Sequence, residues 1–150
     1  MPDNCTIYCK DKQPRKVAEV VRALFPDCSL EGTDDDWTRM TARGKKGELR
    51  LTALVYHENG DEFSRRQGEM ACTAESGASM VALNEGEREN IVAFLYDTEL
   101  LLGVVADPEF DADPRFEKVI FEIAFRCDGL VFNGMELFNA LGEVIMHMNV

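Results

Sequence analysis

The sequence predicts an α+β or α/β fold: a mixed sheet with an N-terminal β-α-β arrangement and a hairpin, a C-terminal βαβ unit, and helices packed on the sheet. Three observations carry this reading. Residues 100–133, LLLGVVADPEFDADPRFEKVIFEIAFRCDGLVFN, run from an apolar strand through an acidic loop and an apolar helix into a second apolar strand. Parallel strands need a crossover of that kind. Residues 14–25 place Val17, Val20, Val21, Leu24 and Phe25 at helical spacing, after an alternating stretch at 5–9. Residues 37–43 and 48–56 alternate on either side of Gly44-Lys45-Lys46-Gly47, as the arms of a hairpin do.

Taken in order, the first strand sets Cys5, Ile7 and Cys9 on one face. Pro14 suits a first helical turn, where its missing N–H has no partner to lose, and Pro26 forbids continuation. A short strand over 27–31 and a polar loop over 31–36 lead to the hairpin, whose second arm carries Leu49, Leu51, Ala53 and Val55 on one face. Asn59-Gly60-Asp61 opens a weaker helix to about residue 72, broken in pattern by Gly68, and 73–83 is small, polar and without a period. Asn84 and Glu87 form a helix cap, and Ile91, Phe94 and Leu95 give the apolar face of a helix ending near 97. Beyond Asn133-Gly134, residues 135–138 and 143–148 read as short strands about a turn at 139–142. No repeat, linker or low-complexity segment divides the 150 residues, so a single domain is expected, burying on the order of 70% of its unfolded surface.

Composition narrows the function classes. No apolar run is long enough to cross a membrane, and charges occupy the N-terminus where a signal peptide needs an apolar stretch, so a cytoplasmic protein is expected. The five cysteines, Cys5, Cys9, Cys28, Cys72 and Cys127, are an odd set without a Cys-x-x-Cys pair, which points to reduced thiols. The net charge is -12, and residues 76–150 hold 4 Lys/Arg against 14 Asp/Glu. Such a surface repels phosphate backbones, which argues against nucleic acid and for a basic protein or a cation.

Three groups of residues are candidate sites. Asp107, Glu109, Asp111 and Asp113 alternate just after a predicted parallel strand, where α/β sheets bind ligands, and hard oxygens of this kind suit Ca²⁺ or Mg²⁺. The EF-hand pattern fails, since Ala112 stands at its glycine position and Lys118 at its final glutamate. Asp113-Pro114 also reads as a helix cap followed by proline in the first turn. Trp37, Arg39, Arg43, Lys45, Lys46 and Arg50 form the one basic concentration, suited to an anion or to the acidic half of a second copy. Its Gly-x-x-Gly matches a nucleic-acid-gripping loop, yet that loop joins helices and this one joins strands. The helix 114–127 is the third: beyond its stripe of Phe116, Val119, Ile120, Ile123, Ala124 and Cys127, it also carries Phe121 and Phe125. Cover by a neighbouring helix such as 85–97, or by a subunit interface through Phe121 and Phe125, is expected.

The common catalytic and cofactor motifs are absent: His57 and His147 lie in unrelated contexts, and neither a metal quartet, a nucleophile elbow nor a phosphate-binding glycine loop occurs. The opening CTIYCKDKQP, the span DDDWTRMTARG and the ending GVVADPEFDADPRFEKVIFEIAFRCDGLVFNG together resemble bacterial proteins grouped as a domain of unknown function. The resemblance implies a compact bacterial α/β domain with no assigned activity. The expected function is therefore a non-enzymatic cytoplasmic interaction domain that self-associates as a homodimer and needs no cofactor. Two alternatives stand beside it: an acidic immunity-type protein that captures a basic toxin, and a divalent-metal-dependent enzyme using the 107–113 loop.

Overall fold

The computed structural model describes residues 3–55, 60–76 and 85–147. Alternation and periodicity place most elements where the sequence puts them: β1 (Asp3–Cys9), α1 (Pro14–Leu24), β2 (Ser29–Thr33), β3 (Asp36–Arg43), β4 (Glu48–Val55), α2 (Gly60–Ser76), α3 (Glu85–Tyr96), β5 (Leu100–Asp107), α4 (Pro114–Arg126), β6 (Gly129–Phe132), β7 (Glu136–Phe138) and β8 (Val144–His147). The expected cap at Asn84 and the histidine at 57 lie outside the described residues. The class is α+β, built on one eight-stranded sheet of order β2-β3-β4-β5-β1-β6-β7-β8.

The sheet, expected to be mixed, is antiparallel at every pairing. The reason is β1. It inserts between β5 and β6, pairing antiparallel to both, with Ile7 opposite Leu102 on one side and Val131 on the other. Strands β5 and β6 thus run in the same direction, joined by the α4 crossover as the pattern predicts, but they form a split βαβ unit and share no hydrogen bond. The N-terminal β-α-β arrangement is likewise wide: β1 and β2 run the same way with three strands between them.

Alternation along the strands sorts the core into two layers. On one face Cys5, Ile7, Cys9, Met40, Leu49, Leu51, Leu102 and Val104 pack against α1 and α4. On the other Tyr8, Leu101, Leu130, Leu137 and Met146 pack against Phe63, Met70 and Ala71 of α2 and Ile91 and Leu95 of α3. The neighbour of α4 is therefore α1, and the expected cover from helix 85–97 fails because α3 lies across the sheet. Arg115 ties the two helices, its guanidinium lying 4.1 Å over the Phe25 ring and donating to the Leu24 carbonyl at the end of α1. Across the sheet the Gln67 amide donates to the carbonyls of Leu95, Tyr96 and Thr98, binding α2 to the end of α3.

Two glycines separate close packing from open helix surface. A Cβ at Gly44 would collide with the Asp113 carboxylate, whereas one at Gly68 inside α2 would meet nothing within 4 Å. Gly68→Ala should stabilise the protein by about 0.5–1 kcal/mol, because glycine is a poor helix residue. Gly44→Ala should destabilise it, since Asp113 is held in place and cannot give way without losing its bonds. Urea denaturation of the two variants reads the opposite signs.

Candidate functional site

The three candidate groups occupy quite different settings. In the acidic loop Asp113 is buried and caps α4: its Oδ1 accepts from the Arg115 N–H at 2.9 Å, and its Oδ2 accepts from the Arg115 guanidinium at 2.7 Å. That guanidinium holds the Asp113 carboxyl below its ordinary value. Asp107 ends β5 opposite Glu48, Glu109 precedes a single 3-10 turn over Phe110–Ala112 and Asp111 lies within it, all three exposed. Among the described residues no three His, Cys, Asp or Glu side chains are grouped to hold a metal ion. The loop is anchored from outside as well, for the Phe110 N–H donates to the Asp3 carboxylate at 3.0 Å.

The basic group divides. Trp37 is 3% exposed, its indole N–H donating to the Pro14 carbonyl, so the ring belongs to the core under α1 and not to a surface patch. Sequence alternation misplaces it because the chain shifts register between Glu31 and Gly32, which throws Thr38 out of the ladder and turns Trp37 inward. Arg39 and Arg50 do share a face, opposite Thr52 and Thr41, on the half of the sheet that α2 and α3 leave open. Arg43 meets Glu48 at 3.5 Å. Lys45 and Lys46 occupy the β3–β4 turn, whose glycines abut Asp107, Ala112 and Asp113. The basic turn and the acidic loop are thus neighbours in one molecule, and the two lysines oppose a divalent cation there.

Helix α4 carries the third group. Its inner stripe of Phe116, Val119, Ile120, Ile123 and Ala124 is buried, Phe121 packs edge-on against Phe138 at 5.8 Å, and Phe125 is 63% exposed. The turn after β7 brings a further apolar side chain. Asn139 Oδ1 accepts the N–H groups of Leu141 and Glu143, Gly142 takes φ +82°, and the resulting loop leaves Leu141 73% exposed. Between this turn and α4 runs a groove in two connected parts of about 580 and 620 Å³, sharing Glu117, Phe121 and Leu141. Its floor is apolar, from Phe110, Phe121, Val131 and Phe138. Its rim carries Asp3, Asp111, Glu117 and Glu122 against one cation, Lys118. Phe121 and Phe125 were legible from the helical pattern, but Leu141 was not; the one signal for it is an apolar residue at the tip of a polar turn.

The described helices include none long and apolar enough to cross a membrane. Compared with known families, characterised proteins and solved structures, the chain matches none.

Two outcomes follow for the loop. The Asp113 carboxyl titrates below its unfolded value of 3.8, so its contribution is complete above about pH 4 and disappears as the pH falls through the folded value. Asp113→Asn keeps a side-chain cap but should flatten the acid limb of the stability–pH curve by lowering stability at neutral pH, and Asp113→Ala, without the cap, should cost about 1 kcal/mol more. Urea midpoints between pH 2.5 and 7 measure both. Thermal melts in millimolar Ca²⁺, Mg²⁺ or Mn²⁺ should not shift, since an ion at a hundred times its dissociation constant would add about 2.7 kcal/mol.

Proposed function

We propose that the protein is a non-enzymatic, cytoplasmic interaction module that captures a basic protein partner in the groove between α4 and the 139–143 turn. The observation that carries this reading is the pairing of two large exposed apolar side chains, Phe125 and Leu141, with a rim of Asp111, Glu117 and Glu122. Exposed apolar side chains around a concave strip supply anchoring area, and rim carboxylates select a cationic partner and speed its approach. An immunity-type role toward a basic toxin is one instance of this mode.

Charge favours a basic partner over a second copy on this face. In a two-fold dimer the patch meets itself, which would bring the Glu117, Glu122 and Asp111 carboxylates of both copies together. A partner of opposite sign removes that repulsion.

A cationic amphipathic peptide of lysine and leucine, followed by fluorescence anisotropy, probes the groove. Binding should weaken with salt, and Phe125→Ser with Leu141→Ser should reduce it at least about tenfold, although the net charge is unchanged. Arg39→Gln, on the opposite face of the sheet, should leave it unaltered. Equal binding by the double serine variant would reduce the interaction to bulk charge attraction and overturn the proposal. Light scattering at low and high salt should show a monomer, and a dimer lost in the double variant would make a second copy the occupant instead.

A further inference from the structure

On the sheet face opposite the α4 groove, a cleft between β1 and α2 is lined by two buried polar groups with nothing to bond. Asn4, Thr6 and Tyr8 alternate onto the face of β1 toward α2, and Arg65, Arg66, Glu69 and Thr73 of α2 line the same cleft. Tyr8 is 5% exposed, yet among the described residues no hydrogen bond reaches its hydroxyl. The Arg66 Nε–H is also buried and finds no acceptor there. A buried donor left unmade costs more than a hydrogen bond returns, so two of them at one cleft call for a third party that satisfies both.

The cleft is too large to be a packing gap. Its volume is about 370 Å³, whereas one water takes up about 30 Å³ and small-molecule sites begin near 300 Å³. Two glycines keep it open. Thr6 sits in register with Gly103 on its β5 side, where an added Cβ would come no nearer than 4.0 Å to the Thr52 carbonyl. Gly134, in the turn after β6, borders the cleft at φ +99° and would place a Cβ in open space.

The free groups also select the chemistry of an occupant. The α2 carboxylates are already engaged, Glu69 with Arg65 at 3.0 Å and Glu62 with Arg66 at 3.1 Å. What remains is rich in donors: the Arg66 Nε–H, the Tyr8 phenol and the Thr6 and Thr73 hydroxyls. Donors of this kind, one of them from a guanidinium, match the oxygens of an anion. We propose that this cleft binds a small molecule through a carboxylate or phosphate group, whose oxygens accept from the Arg66 Nε–H and the Tyr8 hydroxyl.

Amide NMR spectra of the full chain, titrated with succinate and separately with inorganic phosphate at constant ionic strength, test the site and tell the two sources apart. At least one anion should move the signals of Thr6, Tyr8, Arg66 and Thr73 saturably. Tyr8→Phe keeps the ring in the core and removes only the unbonded hydroxyl, so it should melt no lower than the parent while binding about tenfold more weakly. Arg66→Lys keeps the charge but loses the Nε–H, and should weaken binding to a similar degree. Absence of saturable shifts with either anion would overturn the proposal, as would undiminished binding by both variants. Shifts confined to Arg39 and Arg50 would place the anion on the exposed arginines of β3 and β4 and overturn it equally. If Tyr8→Phe does not fold, Arg66→Lys decides by itself, because its side chain is outside the hydrophobic core.

Discussion

The insertion of β1 between β5 and β6 is the constraint on which the rest of the structure rests. A strand hydrogen bonded on both edges and packed on both faces must be apolar on both, and β1 meets this with Cys5, Ile7 and Cys9 toward α1 and α4 and Tyr8 toward α2 and α3. Burial pushes the Tyr8 phenol up to about 12, so it stays neutral at physiological pH. With β1 in place, β5 and β6 cannot pair, and α4 must cross a full strand to connect them. That crossing lays α4 beside α1, with Phe121 against Phe138 of β7 and Phe125 exposed.

The two layers of helices are unequal in consequence. On the α1/α4 side ion pairs lace the helices to their surroundings: Arg15 to Asp35 and Arg22 to Asp34 hold the β2–β3 turn against α1, and Arg126 reaches Glu19 between the helices. The Arg15–Asp35 and Arg126–Glu19 pairs are exposed and contribute orientation more than stability. On the other side α2 and α3 cover the half of the sheet around Tyr8, Leu101 and Leu130, and among the described residues no helix covers Arg39, Thr41, Arg50 and Thr52 of β3 and β4. The sequence concentrates acid in its second half, and three of those residues, Asp111, Glu117 and Glu122, line the groove at α4.

Much of this arrangement was legible from residue order, and what was not has identifiable causes. Pro14 and Pro26 bracket α1, Asp113-Pro114 starts α4, and the alternation of β3 and β4 about a glycine turn holds over 39–43 and 48–52. Strand order was hidden because neighbours across a sheet are set by which apolar faces meet at long range. No local period distinguishes β1 beside β5 from β6 beside β5. Trp37 was assigned to the surface because one extra residue at Thr38 inverts the alternation, and a bulge leaves no mark in composition. The acidic loop illustrates a different failure: four alternating carboxylates suggest a cation site, yet the geometry that counts is the Arg115 side chain, two residues past Asp113, folding back to claim the one carboxylate that is buried.

The same clamp explains why the groove on α4 is open. Arg115 spends its guanidinium on Asp113, Phe25 and the Leu24 carbonyl, leaving Lys118 as the one cation lining the strip that Glu117, Glu122 and Asp111 border. Neutralising carboxylates from within the chain would need further basic residues on α4, but the others there, Arg115 and Arg126, are both turned toward α1. Among the described residues that line the groove, Lys118 alone opposes its carboxylates. An approaching cation is attracted from about a Debye length, near 8 Å at physiological ionic strength, before any apolar contact forms. In the proposed mode, contact with Phe125 and Leu141 governs how long a basic partner stays, because dissociation must re-expose their area to water. Attraction by the rim and retention by the two apolar side chains are separable contributions, so a partner that is basic but lacks an apolar face would arrive quickly and leave as quickly.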